Sequence, residues 1–157
     1  MQILMNSRRC GRVRWHFSNS GFDVTSCGLR VKKGPWMRSY KDLEIYRLLY
    51  DLAIKIHKLS LDLPKYEMYE EGSQIRRSSK GITSCIVEGY GRKKYKAEFI
   101  KFLIYSHASC DETILHLNFL KDTHTLDGEE VKFLLDTYNK LGSKISKFIQ
   151  YVEKEWM

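Results

Sequence analysis

From Tyr40 onward, apolar residues recur three and four positions apart, the spacing that lines one face of an α-helix. Four such stretches follow one another. The first, about Lys41 to Leu61, carries Leu43, Tyr46, Leu49, Tyr50, Ala53, Ile56 and His57 on one stripe. Ile45, Leu48, Leu52 and Leu59 form a second stripe. A bundle core buries one face of a helix. Two apolar faces therefore point to a further surface to cover, and we read Leu48 and Leu52 as helix-packing or subunit-interface residues. The plainer alternative is one wide core face with some leucine exposed. Pro64 ends this run, because the residue before a proline avoids the helical conformation.

A polar and aromatic connector, 65–72, with room for a helical turn, leads to the second helix. It is expected from Ser73, a good N-cap, to Glu88, with Gly89 and Gly91 able to take the left-handed conformation that stops a helix. Ile75, Ser79, Ile82, Ile86 and Gly89 form its core stripe. Ser78, Gly81 and Cys85 make an adjacent row of small side chains that lets a neighbouring helix come close. A glycine such as Gly81 costs a helix interior about 1 kcal/mol against alanine, so its presence points to a need for space. The third helix spans about Lys94 to Lys121, with Phe99, Phe102, Leu103, Ser106, Ser109, Cys110, Thr113, Leu117 and Leu120 facing the core. A short loop, 122–126, and a capping box of Asp127 with Glu130 open the fourth helix. Its stripe runs through Val131, Leu134, Leu135, Tyr138, Leu141, Ile145, Phe148, Ile149 and Val152. No strand-like alternation follows Tyr40. Four helices on short connections predict an all-α, antiparallel up-down-up-down four-helix bundle.

The first 36 residues read differently. Gly and Ser punctuate them, with weak alternation at Val13, Trp15 and Phe17 and a candidate hairpin around Asn19-Ser20-Gly21. A lone hairpin is marginal in water. The chain breaks at Lys33-Gly34-Pro35. We therefore expect a basic N-terminal extension, 1–36, that is disordered or not native, with Met37 as the true start, and a bundle domain, 37–157. The extension is Arg-rich and poor in acids, like a transit peptide, but Gly11, Gly21 and Gly28 spoil a helix and no apolar signal-peptide core is present.

Charge sharpens this division. The net charge is +8, which alone would suggest a polyanion partner. Residues 1–36 hold 7 Lys+Arg against 1 Asp, whereas the remainder holds 20 basic against 18 acidic side chains. A basic site on the bundle must therefore be local. The four cysteines, Cys10, Cys27, Cys85 and Cys110, show no Cys-x-x-Cys spacing, so a zinc knuckle or redox pair is not expected. Cys85 and Cys110 read as small core residues of a reducing compartment, and the cytoplasm is the default location. No run of 18 apolar residues suggests a transmembrane helix.

Two basic clusters stand out locally. Arg76, Arg77 and Lys80 lie within one turn, where like charges repel and call for an anion. Arg77 and Glu88 share a meridian but stand about 16 Å apart along the axis, so the partner must come from another helix or subunit, such as Glu112 or Asp111, or be a phosphate. Downstream, Arg92, Lys93, Lys94, Lys96 and Lys101 interleave with Tyr90 and Tyr95, a combination suited to phosphates and stacked bases, although a solvated loop is the commoner case. We take Arg76, Arg77, Lys80, Arg92, Lys93 and Lys94 as candidate nucleic-acid contacts. Glu88, beside the small row, joins the helix-packing or interface set.

Catalytic constellations do not form. No Arg precedes a bundle histidine at the spacing of a helical ribonuclease. Glu112 and His116 are four apart with no second copy, so a di-iron bundle is not expected. His107, Cys110 and Asp111 share a helix face but make a weak metal set. We expect no enzyme activity, cofactor or metal.

The string Gln74-Ile75-Arg76-Arg77-Ser78-Ser79 with Ile82 and Ile86-Val87-Glu88-Gly89-Tyr90-Gly91-Arg92 is the most specific in the chain. With Tyr40-Lys41-Asp42-Leu43, Leu63-Pro64, Glu67, Glu98-Phe99, Phe102-Leu103, Ser109 and Glu112, it makes residues 39–151 resemble the 23S rRNA intervening sequence proteins. The resemblance implies a four-helix bundle that assembles as a ring-like homopentamer around a channel. A related member is the accessory protein of diversity-generating retroelements, which binds reverse transcriptase and nucleic acid. The chain departs from the family where Cys85 stands for a usual Asn and Gly81 for a usual Ser. The combined expectation is a non-enzymatic homo-oligomer that binds RNA, DNA or a nucleoprotein without touching a membrane. The alternative is a protein–protein accessory factor, such as a reverse transcriptase partner.

Overall fold

A 3-10 turn over Tyr40–Asp42 leads the chain into its helices, held by Ser39. The Ser39 backbone N–H donates to Asp42 Oδ2 at 2.9 Å, and Ser39 Oγ accepts from the Lys41 N–H at 3.3 Å. The molecule is described from a computed structural model over residues 39–123 and 128–156. The 1–36 extension with its candidate hairpin, Cys10, Cys27, Met37 and the Asp127 cap lie outside the described residues. After the turn come α1 (Glu44–Leu61), α2 (Lys65–Tyr69), α3 (Glu71–Gly91), α4 (Lys96–Asp122) and α5 (Gly128–Glu155). The described residues are all-helical, four long helices and one short, with no strand.

The core stripes read from the sequence are buried almost throughout. Ile75, Ile82 and Ile86 of α3, Phe99, Leu103 and Leu117 of α4, and Tyr138, Ile145 and Phe148 of α5 join one apolar cluster. Each such side chain contributes roughly 1.5–3 kcal/mol on burial. Both stripes of α1 contribute to the same cluster, although Tyr50 of the first stripe is 51% exposed. Ile45, Leu52 and Leu59 are buried beside Leu49 and Ile56, and Leu48 packs half-buried against them. The wide-core alternative thus describes Leu52, which is 3% exposed inside its own chain.

The helical turn that the connector had room for is present, and two helices, α3 and α4, differ from expectation at their ends. The connector after Leu63 is itself the helical turn α2, opened by Pro64. Helix α3 then starts at Glu71 rather than at Ser73, because the Ser73 and Gln74 N–H groups already donate to the Glu70 carbonyl at 3.0 and 3.2 Å. It continues through Gly89 to Gly91. Gly89 is a packing glycine and not a stop. A Cβ there would stand 2.9 Å from Phe102 Cβ and 3.1 Å from Phe99 Cδ2. Helix α4 begins at Lys96, so Lys93 and Lys94 sit in the turn, with Tyr95 as N-cap.

The small row of α3 meets α4. Ser78 and Thr113 hydroxyls lie 2.9 Å apart, and Ser106 Oγ donates to the Ile82 carbonyl at 3.0 Å. A Cβ on Gly81 would stand 3.3 Å from Ser109 Oγ. Near the start of α3, Glu71 Oε2 lies 2.7 Å from His116 Nδ1. These contacts satisfy buried polar groups where the two helices meet, which would otherwise weaken the packing.

Candidate nucleic-acid interface

The corner between α3 and α4 is set by aromatic packing. Phe99, fully buried, meets Tyr90, Phe148 and Trp156 edge-on at 6.5, 6.0 and 5.2 Å between ring centroids. On this platform the turn presents Arg92, Lys93, Lys94 and Tyr95. The Arg92 guanidinium lies 4.3 Å from the centroid of Phe102, and Lys93 Nζ lies 3.8 Å over Tyr90. Such cation–π contacts hold a side chain in place without neutralising it. Arg92 also donates to the Glu88 carbonyl at 3.1 Å and stands 3.8 Å from its carboxylate, on a pair about half exposed on both sides. Residues 88–101 carry 5 basic and 2 acidic side chains, so the corner stays positive despite that pair. Lys94 and Lys96 are exposed.

The second cluster does not hold together as a site. Arg76 turns away from solvent and donates from Nη1 to Ser60 Oγ and from Nη2 to the Met68 carbonyl, both at 3.1 Å. It fastens α3 to α1 and α2. The acids of the neighbouring helix expected to neutralise the cluster are engaged elsewhere: Asp111 with His107 at 3.2 Å, and Glu112 with His116 at 3.8 Å. Lys80 Nζ stands 3.4 Å from His57 Nδ1. Arg77 is exposed, and no hydrogen bond or ion pair holds it among the described residues. Arg77, Lys80, Ser84 and Glu88 form one exposed face of α3 that leads to the corner. From Arg77 to Arg92 it extends about 22 Å at the helical rise.

The remaining candidates divide. Ser78 is buried against Thr113, and Gly81 faces Ser109, so both serve packing within the chain. Cys85 is half-buried, Glu88 exposed. Partial burial and the Glu88 charge push the Cys85 thiol up. Burial, with Asp111 adding, pushes the Cys110 thiol up to about 12. Both thiols therefore stay protonated and poor nucleophiles near neutrality. Cys110 faces the core, donating towards the Tyr138 carbonyl at 3.5 Å, while the His107–Asp111 pair faces outward. That face does not converge, and no group of three or more His, Cys, Asp or Glu among the described residues is placed to hold a metal. No helix among them is long and apolar enough to cross a membrane. The seating of Arg92 on Phe102 and the use of neutral oxygens by Arg76 were not visible in the sequence, since both join residues from different helices.

A family model described as 23S rRNA-intervening sequence protein matches residues 41–147. No curated protein matches the chain. Among solved structures, the chain is similar to a protein with unknown function from the S23 ribosomal protein family of Bacteroides thetaiotaomicron VPI-5482. The two are 20% identical with a TM-score of 0.63, over 68% of this chain and 95% of that one. At that identity the likeness concerns the fold.

Proposed function

The chain belongs to the 23S rRNA-intervening sequence protein family, and from that premise we propose that it is a non-enzymatic bundle that binds RNA through the corner of α3 and α4. Arg77, Lys80, Arg92, Lys93 and Lys94 contact phosphates in this reading, and Arg76 leaves the set to act as a structural tie. The observation that carries it is the cluster of cations at Arg92–Lys94, with Arg92 and Lys93 seated on aromatic rings and, among the described residues, only Arg92 facing a carboxylate. Cations fixed in advance lose little freedom when a phosphate arrives.

The family resemblance adds a ring-like homopentamer to this proposal. Helix α4 supports self-assembly, because Ile104, Tyr105, Leu115 and Phe119 stand about half exposed opposite its buried stripe. A helix apolar on both sides suits burial on both sides. The order of contacts, Gly89 with Phe99 and Phe102 but Glu71 with His116, supports the antiparallel course of α3 and α4. Free Cys85 and Cys110 fit a reducing cytoplasm.

Native mass spectrometry with and without ribonuclease tests both parts. The proposal expects a five-subunit mass and extra mass that ribonuclease removes. A bare monomer under both conditions contradicts it. A reverse transcriptase retained after ribonuclease would instead favour an accessory protein–protein role.

A further inference from the structure

We infer that Tyr95 is a stacking platform for an unpaired base, so that the corner takes single-stranded RNA or an open loop rather than a paired helix. The inference rests on the RNA-binding reading and adds the class of ligand. Three aromatic rings meet the cations of this corner, and they play different parts. Tyr90 is only 6% exposed and lies beneath Lys93. Phe102 is half-buried beneath Arg92 and packs edge-on with Tyr105 at 5.8 Å. Those two rings already hold cations, and Tyr90 is buried besides. Tyr95 differs, being 65% exposed with Lys94 Nζ 6.0 Å from its centroid.

The backbone at Tyr95 is nevertheless fixed. Its N–H donates to the Arg92 carbonyl at 2.8 Å, and its carbonyl accepts from Phe99 at 3.0 Å, the first bond of α4. An exposed ring on an anchored backbone, with Lys94 and Lys96 on either side in sequence, joins an apolar plane to two phosphate-binding charges. Bases in a duplex stack on one another and offer no free face, whereas an unpaired base stacks readily on an aromatic side chain. Phosphate contact alone would not separate the two forms of RNA, so the preference is the property that Tyr95 adds.

Fluorescence anisotropy with the full chain tests this, using a labelled ten-nucleotide RNA of mixed sequence and the same RNA annealed to its complement. Wild type should bind the single strand about tenfold or more tightly than the duplex. Tyr95→Ala should lose about tenfold on the single strand and leave duplex binding unchanged. Tyr95→Trp should retain the preference. Because the side chain is exposed and the anchoring bonds are backbone ones, the alanine variant should keep the wild-type melting temperature, which serves as the control. Equal affinity for both RNAs, or an equal loss on both in Tyr95→Ala, overturns the inference while leaving phosphate binding intact. Absence of binding to either RNA overturns the inference and the RNA-binding reading together.

Discussion

Arg76 and Ser60 are joined across α3 and α1 by a 3.1 Å hydrogen bond from the guanidinium to the hydroxyl, while the other guanidinium nitrogen holds the Met68 carbonyl beside α2. Ser60 in turn donates to the His57 carbonyl at 2.8 Å, so the hydroxyl is used in both directions. One arginine thus fixes the short helix α2 and the end of α1 against α3. Arg76→Ala should destabilise the protein by about 1.5–3 kcal/mol, the range for hydrogen bonds to a charged group. Arg76→Lys should not restore it, because a single ammonium cannot reach two acceptors as the planar fork does. Arg77→Ala should leave stability within about 0.5 kcal/mol, as for an exposed side chain. Urea unfolding of the three variants distinguishes these outcomes.

Gly89 and Gly91 should respond in opposite ways to alanine. At Gly89 the new Cβ would press on Phe102 Cβ and the Phe99 ring, so overpacking of about 1–3 kcal/mol outweighs the roughly 1 kcal/mol gain in helix propensity. A Cβ at Gly91 would meet nothing within 4 Å among the described residues, and alanine should be neutral or mildly stabilising. Thermal melts of the two variants check the sign of each change.

Tyr138 carries a buried hydroxyl with no hydrogen-bond partner among the described residues. Tyr138→Phe removes the unsatisfied group and keeps the ring. Its stability should be unchanged or higher by about 1 kcal/mol. A decrease of more than about 1 kcal/mol in denaturant titration would show that the hydroxyl is bonded in solution.

The thiol of Cys110 sets an alkaline limit. Its folded pKa, raised to about 12, lies above that of an unfolded thiol, so the unfolded chain releases its proton first. The stabilisation is complete below the unfolded value near 8.5–9 and disappears as pH rises towards 12. Between pH 9 and 10 this group should lower stability by about 1 kcal/mol. Cys110→Ala should be less stable at pH 7 but show a shallower decline over that interval. Peptide mapping after iodoacetamide at pH 8 should find Cys85 modified before Cys110, since Cys85 is half-buried and Cys110 fully buried.

The core was legible because burial of a helix face leaves a local period in the chain. Ile75, Ile82 and Ile86 needed no knowledge of their neighbours to be assigned inward. Ends and partners depend on tertiary packing and were less legible. Gly89 looks like a stop in sequence, yet it makes room for Phe102 one helix away. The second stripe of α1 is covered by the same core as the first, and only packing could show that. Arg76 resembles a phosphate ligand beside Arg77, but neutral oxygens 8 and 16 residues away hold it. The Arg92–Lys94 cluster was visible as charge, whereas its seating on Phe102 and Tyr90 was not.

In the proposed function, the α3–α4 corner and its adjoining helix face bind RNA phosphates. The most direct test is the salt dependence of RNA binding by wild type and by an Arg77→Ala/Lys94→Ala double variant, two exposed positions whose removal should not disturb the fold. Wild-type affinity should fall steeply with salt. The plot of log affinity against log salt should flatten by about 0.7 for each single-strand phosphate that the variant no longer neutralises. Binding that ignores salt, or a double variant with the wild-type slope and affinity, would contradict the claim.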